Sequence, residues 1–226
     1  MLLFVPYGIN ALQQRRPIAN WLIIGGTVIV SVIAFTSGNE EDFGEPFNQL
    51  VLFGWEPIGM FGHMLLHLDI IHLAGNMIFL WVFGNALCAN MNGFLYTGIY
   101  VLVGLFAAAA HMAFDDMPAV GASGAINGII GIALAVYPRD AVDVFYLFII
   151  KPGTFQMPVW GLAFIWLVFD IFGALTSVGS VAYFAHIGGF FAGIVIGLVL
   201  LQFEKIDLTI YDRETLLEMI KGEKVD

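Results

Sequence analysis

Two stretches carry residues able to do chemistry. Ala119-Val-Gly-Ala-Ser-Gly-Ala-Ile-Asn-Gly128 sets Ser123 in an uncharged apolar run, and Ala185-His-Ile-Gly-Gly-Phe-Phe-Ala-Gly193 does the same for His186. A hydroxyl or imidazole held away from water without a partner is costly, and the cheapest partner for each is the other. A serine hydrogen-bonded to a neutral imidazole is a nucleophile beside its general base. The same residues also suit close helix packing in lipid, because Gly124/Gly128 and Gly189/Gly193/Gly197 have small-xxx-small spacing. The stretch is not the Gly-x-Ser-x-Gly elbow of soluble hydrolases, since position 125 is Ala and no strand is expected before it.

A third stretch, Gly62-His-Met-Leu-Leu-His-Leu-Asp-Ile-Ile-His-Leu-Ala-Gly-Asn76, is rich in polar side chains. His72 and Asn76 are i,i+4 neighbours on one helical face. An Asn amide, an imidazole N–H and the Ser123 backbone N–H are the donors a tetrahedral oxyanion needs. The same two side chains equally suit hydrogen bonding between helices. His63-x-x-x-His67 has zinc-ligand spacing, but a metalloprotease of that kind needs Glu after the first His, and position 64 is Met. No metal or other cofactor is expected. His63 and His67 are expected to bond the acidic outer loop to the second helix.

The elements that must position these groups follow from composition. Hydrophobic residues make up 60% of the chain and charged residues 12%, which is a polytopic membrane protein and not a soluble domain. A net charge of −10 argues against nucleic-acid binding. The single cysteine, Cys88, excludes an internal disulfide. A helical span needs about 20 apolar residues. Charge-free runs then predict six helices near residues 18–36, 62–87, 94–113, 120–137, 158–175 and 181–203, with Asn90-Met-Asn-Gly93 as the turn between the second and third. Residues 37–61 form a long acidic outer loop dipping partly into the interface, and 139–156 a connector of uncertain shape.

Six spans put all eight basic residues on one side, while the acidic loop and Asp115/Asp116 fall on the other. The positive-inside tendency makes both termini cytoplasmic. Ser123 then lies about one turn inside the fourth helix from the outer face, and His186 lies at similar depth in the sixth. Asp170, the one carboxylate inside a predicted span, is assigned a structural part in ordering the turn 176–180.

Taken together, the His63/His67/His72/Asn76 series, Gly121-Ala-Ser-Gly124, and His186-x-x-Gly189-x-x-x-Gly193 resemble the rhomboid intramembrane serine proteases, in the family's order and over nearly the whole chain. The resemblance implies an all-α membrane protein, a six-transmembrane-helix bundle spanning 18–203, flanked by cytoplasmic segments 1–17 and 204–226. It implies Ser123 as nucleophile and His186 as general base in a dyad without an acidic member. His72, Asn76 and the Ser123 amide would be oxyanion donors, with Gly121, His67 and Asn127 in support. Substrates would be single-span membrane proteins in the bilayer, cut through an acyl-enzyme. The expected setting is a bacterial plasma (inner) membrane.

Three positions depart from the family's pattern. Asn127 stands where an aromatic ring often stacks on the histidine, so His186 is expected to be held by a hydrogen bond instead. Trp55-Glu56 replaces a common Trp-Arg, and Cys88 replaces a common Glu. Two other classes compete: a catalytically weak or dead rhomboid-like module that binds membrane spans, and a small transporter, for which the chain shows no convincing repeat.

Overall fold

The first helix, Ile18–Ser37, shows how this chain partitions its surfaces. Asn20, Thr27, Ser31 and Ala34 recur on one stripe and are buried, whereas Leu22, Ile29, Val32 and Ile33 are exposed. Polar and small residues face the bundle and large apolar ones face lipid, as expected where the surroundings are hydrocarbon. The computed structural model describes residues 2–38, 43–115, 117–148, 151–176, 181–209 and 214–222. Glu40, Glu41, Asp42, Asp116, most of the expected turn 176–180, and the basic residues Arg213 and Lys224 lie outside the described residues.

The six expected helices are present, and five of them are long and apolar enough to cross a membrane. The second runs over Ile70–Cys88, not from Gly62. Its start is fixed by Asp69, whose Oδ1 accepts from His72 N at 2.8 Å, a side-chain N-cap that no residue near Gly62 supplies. Residues Pro57–Gly62 form a separate short helix and His63–Leu65 a single tight turn. Midway, Leu80–Gly84 widens into a π turn. Asn20 on the first helix donates to Leu80 O there (2.9 Å) and to Asn85 Oδ1 (2.9 Å), and accepts from Tyr96 OH (2.6 Å).

Asn92 begins the third helix, Gly93–Phe114, by accepting from Phe94 N and Leu95 N. The fourth, Ser123–Val136, is almost wholly buried and has only 14 residues. At 1.5 Å per residue it is about 21 Å long, short of a hydrocarbon core of about 30 Å. It begins at Ser123 itself, not a turn earlier. The fifth helix is Val159–Thr176 and the sixth Tyr183–Gln202.

One feature was not anticipated from composition. Leu2–Ile9 (β1), Ala141–Phe148 (β2) and Lys151–Pro158 (β3) form an antiparallel sheet in the order β1-β2-β3. Phe148 pairs with both Leu2 and Lys151, and a bulge between Pro6 and Gly8 interrupts the first ladder. Val142 and Val144 turn one side of β2 into the core. β1 lies beside the second helix, where Val5, Pro6 and Tyr7 line a cavity with Ala74, Met77 and Ile78, while β2 follows the end of the fourth helix remote from Ser123. At that end Asn90 Nδ2 donates to Leu12 O (2.8 Å) and Tyr137 OH (2.9 Å), and Arg15 pairs with Asp207 at 2.7 Å. After the sixth helix a short helix, Leu216–Lys221, starts with a reciprocal Thr215/Glu218 cap.

Candidate active site

The run-up to Ser123 is extended and is pinned from both sides. Leu52 and Ala119 exchange two backbone hydrogen bonds of 2.9 Å, and Gly121 N donates to His63 O at 2.9 Å. At Gly121 the backbone takes φ +123°, a conformation L side chains rarely adopt. The fourth helix opens two residues later, so the Ser123 N–H lies in its unsatisfied, positively polarised first turn.

Glycines then bring the fourth and sixth helices into backbone contact. A Cβ at Gly189 would strike Gly124 O, and one at Gly193 would strike Gly128 O. Small-residue packing and placement of the serine are therefore one device. It carries Ser123 Oγ to 2.8 Å from His186 Nε2, with His186 one turn inside the sixth helix. On the other edge of the ring, His186 Nδ1 lies 2.9 Å from Asp170 Oδ1 of the fifth helix. A carboxylate only accepts, so Nδ1 carries the proton and Nε2 is left to accept from the Ser123 hydroxyl.

Facing the serine, His72 Nδ1 accepts from Leu68 N at 3.4 Å, which leaves Nε2 as the protonated nitrogen of that ring. A Cβ on Gly121 would lie 3.0 Å from His72 Nε2 and 3.7 Å from Asn76 Nδ2, so both donors converge on the space this glycine leaves open. Asn76 Nδ2 is buried and, among the described residues, makes no hydrogen bond.

The family model for the Rhomboid domain matches residues 54–203. This chain belongs to the rhomboid family. It is 28% identical over 196 residues to the Rhomboid protease GluP of Bacillus subtilis, covering 82% of this chain and 36% of that protein. It is 24% identical over 147 residues to Rhomboid protein 1, mitochondrial, of Saccharomyces cerevisiae, covering 62% of this chain and 41% of that protein. The chain thus spans less than half the length of these relatives. As expected from the sequence, it is an integral, multi-pass helical membrane protein.

Within the rhomboid domain the remaining polar residues have distinct surroundings. His67 is fully buried. Ser31 Oγ donates to Leu65 O at 2.8 Å, so at 3.0 Å His67 Nδ1 donates to Ser31 Oγ, and Nε2 is left to accept from Ala122 N at 3.5 Å. The ring is a strut from the first helix to the residue before Ser123, and burial pushes its pKa down to about 3. His63 Nδ1 donates to Gly59 O at 3.1 Å. Among the described residues neither histidine bonds an acidic side chain of the outer loop, where the sequence suggested such bonds; the rings bond backbone and hydroxyl groups instead.

Asn127 Nδ2 donates to Ser123 O at 3.0 Å, bracing the first turn of its own helix. The histidine is held by a hydrogen bond, as the missing aromatic required, but Asp170 makes it. Asp170, expected to order the turn 176–180, directs its Oδ1 to His186 on the sixth helix; most of that turn lies outside the described residues. A buried acid level with an expected histidine was the available signal.

Proposed function

We propose that this protein is an intramembrane serine endopeptidase in which Ser123 is the nucleophile and His186 the general base. The observation that carries the reading is the 2.8 Å contact of Ser123 Oγ with His186 Nε2 at the head of a buried helix. In the reaction, Nε2 takes the hydroxyl proton as Oγ attacks a peptide carbonyl. The resulting oxyanion accepts from the Ser123 N–H, His72 Nε2–H and Asn76 Nδ2–H. The imidazolium gives its proton to the departing amine, leaving an ester on Ser123. Water, deprotonated by the same nitrogen, then releases the new carboxylate and restores the serine. The unused donor of Asn76 supports this role over interhelical glue, since among the described residues Nδ2 bonds to no neighbouring helix.

The substrates are membrane-spanning proteins, of which single-span proteins fit best: a site at the head of a helix shorter than the bilayer meets a peptide bond near the end of a span. The catalytic unit is the bundle 18–203, with 1–17 and 204–226 on the cytoplasmic face of a bacterial plasma membrane. The charge pattern of the sequence supports that orientation, because with six spans all eight basic residues fall in segments on one side.

Labelling of the purified protein with a fluorophosphonate tests the chemistry, alongside digestion of a single-span substrate in proteoliposomes. Ser123→Ala is expected to fold, lose labelling and lose cleavage, and His186→Ala to lose both. An unsubstituted protein that binds the span but neither labels nor cuts it would instead be a non-catalytic binding module.

A further inference from the structure

We propose that Asp170 is a positioning residue that turns the Ser123–His186 pair into a three-membered relay, replacing the aromatic support of the family's usual site. The inference rests on the protease reading above. Asp170 lies within a membrane-spanning helix, where an acid is expensive unless it is paired. Its side chain is only 9% exposed, and its Oδ1 sits 2.9 Å from His186 Nδ1. The nearest supporting ring, Tyr183, meets the imidazole only by an edge at 6.4 Å. Asn127, which stands at the family's stacking position, is spent on Ser123 O. Among the described residues only Ser123 and Asp170 hydrogen-bond the His186 ring, and an imidazole free to rotate about its Cβ–Cγ bond would lose the serine.

Three helices therefore contribute in line: the fourth gives Ser123 Oγ, the sixth the imidazole, the fifth the carboxylate. The carboxylate has two effects. It holds the Nδ1–H tautomer, so that Nε2 is the bare nitrogen facing the hydroxyl. It also lies against the positive charge that appears on the ring when the serine proton arrives. In soluble serine proteases, replacing the corresponding acid by its amide lowers kcat by about 10⁴-fold, because the amide permits the wrong tautomer.

The test compares Asp170→Asn, Asp170→Glu and the unsubstituted protein in fluorophosphonate labelling and in cleavage of a single-span substrate. Asp170→Asn is expected to lower the labelling rate and kcat by about 10³- to 10⁴-fold, with KM essentially unchanged. Asp170→Glu is expected to regain part of the loss. A folded Asp170→Asn protein that labels and cleaves at the unsubstituted rate overturns the inference. Should that variant not fold, ¹⁵N spectra of the unsubstituted histidine-labelled protein decide, with His186 assigned by its loss in His186→Ala. A protonated Nδ1 and bare Nε2 support the relay, and the opposite tautomer overturns it. Failure of the unsubstituted protein to label or cleave is a separate result, and it refutes the protease reading itself.

Discussion

Gly121→Ala is the substitution whose effect can be worked most fully from the structure. The new methyl would stand 2.9 Å from His72 Cε1 and 3.0 Å from its Nε2. Carbon contacts become favourable only near about 3.5 Å, so the ring must retreat by roughly 0.6 Å. Two penalties combine: backbone strain at φ +123°, typically about 1–3 kcal/mol, and overpacking against the ring, typically about 1–3 kcal/mol. Stability should fall by about 2–6 kcal/mol in total. A displaced His72 no longer aims its N–H at the oxyanion, and loss of one such donor lowers kcat by about 10²- to 10³-fold. The assay pairs thermal unfolding in detergent with fluorophosphonate labelling kinetics, applied to Gly121→Ala, His72→Ala and the double variant. Removing the ring should return the overpacking share, about 1–3 kcal/mol, while leaving the backbone share and the lost activity in place. Two results refute the reasoning: unsubstituted rates in Gly121→Ala, or stabilities of the two single variants that simply add.

Two further outcomes follow from the same geometry. Asn76→Ala should slow turnover by about 10²-fold with little change in melting temperature, since Nδ2 bonds to nothing in the described structure; a lower melting temperature with unchanged turnover would make Asn76 glue. His67→Gln should flatten the dependence of stability on acid. The folded pKa of His67 is near 3 against 6.5 unfolded, so between those values the unfolded chain binds a proton that the folded one refuses. Stability therefore declines as pH falls from about 6.5 toward 3, and that part of the slope should vanish in unfolding curves of the variant.

Much of this arrangement was legible in the residues. Charge-free runs located all six helices, Asn90–Gly93 marked a turn, and Ser123 meets His186 as their similar depth suggested. The second and fourth helices begin later than their apolar runs because their starts depend on local backbone chemistry. Asp69 caps one, and the left-handed turn at Gly121 precedes the other. The sheet was harder to read. Val142 and Val144 alternate as a strand should, but one of β2's partners is Leu2–Ile9, far away in the chain. The aim of Asp170 was unreadable for a different reason. Helical phase puts it on a face with Gly173, and only the packing of Gly173 against Tyr183 shows that this face meets the sixth helix.

The sheet has a consequence for how the molecule is made. β1 precedes the first helix, yet among the described residues it pairs with β2, which emerges after the fourth helix. Through the insertion of four helices, that ribbon waits for β2. Its closure onto the hairpin clasps the segment before the first helix to the one after the fourth, and it can occur only once the helix bearing the serine has been made.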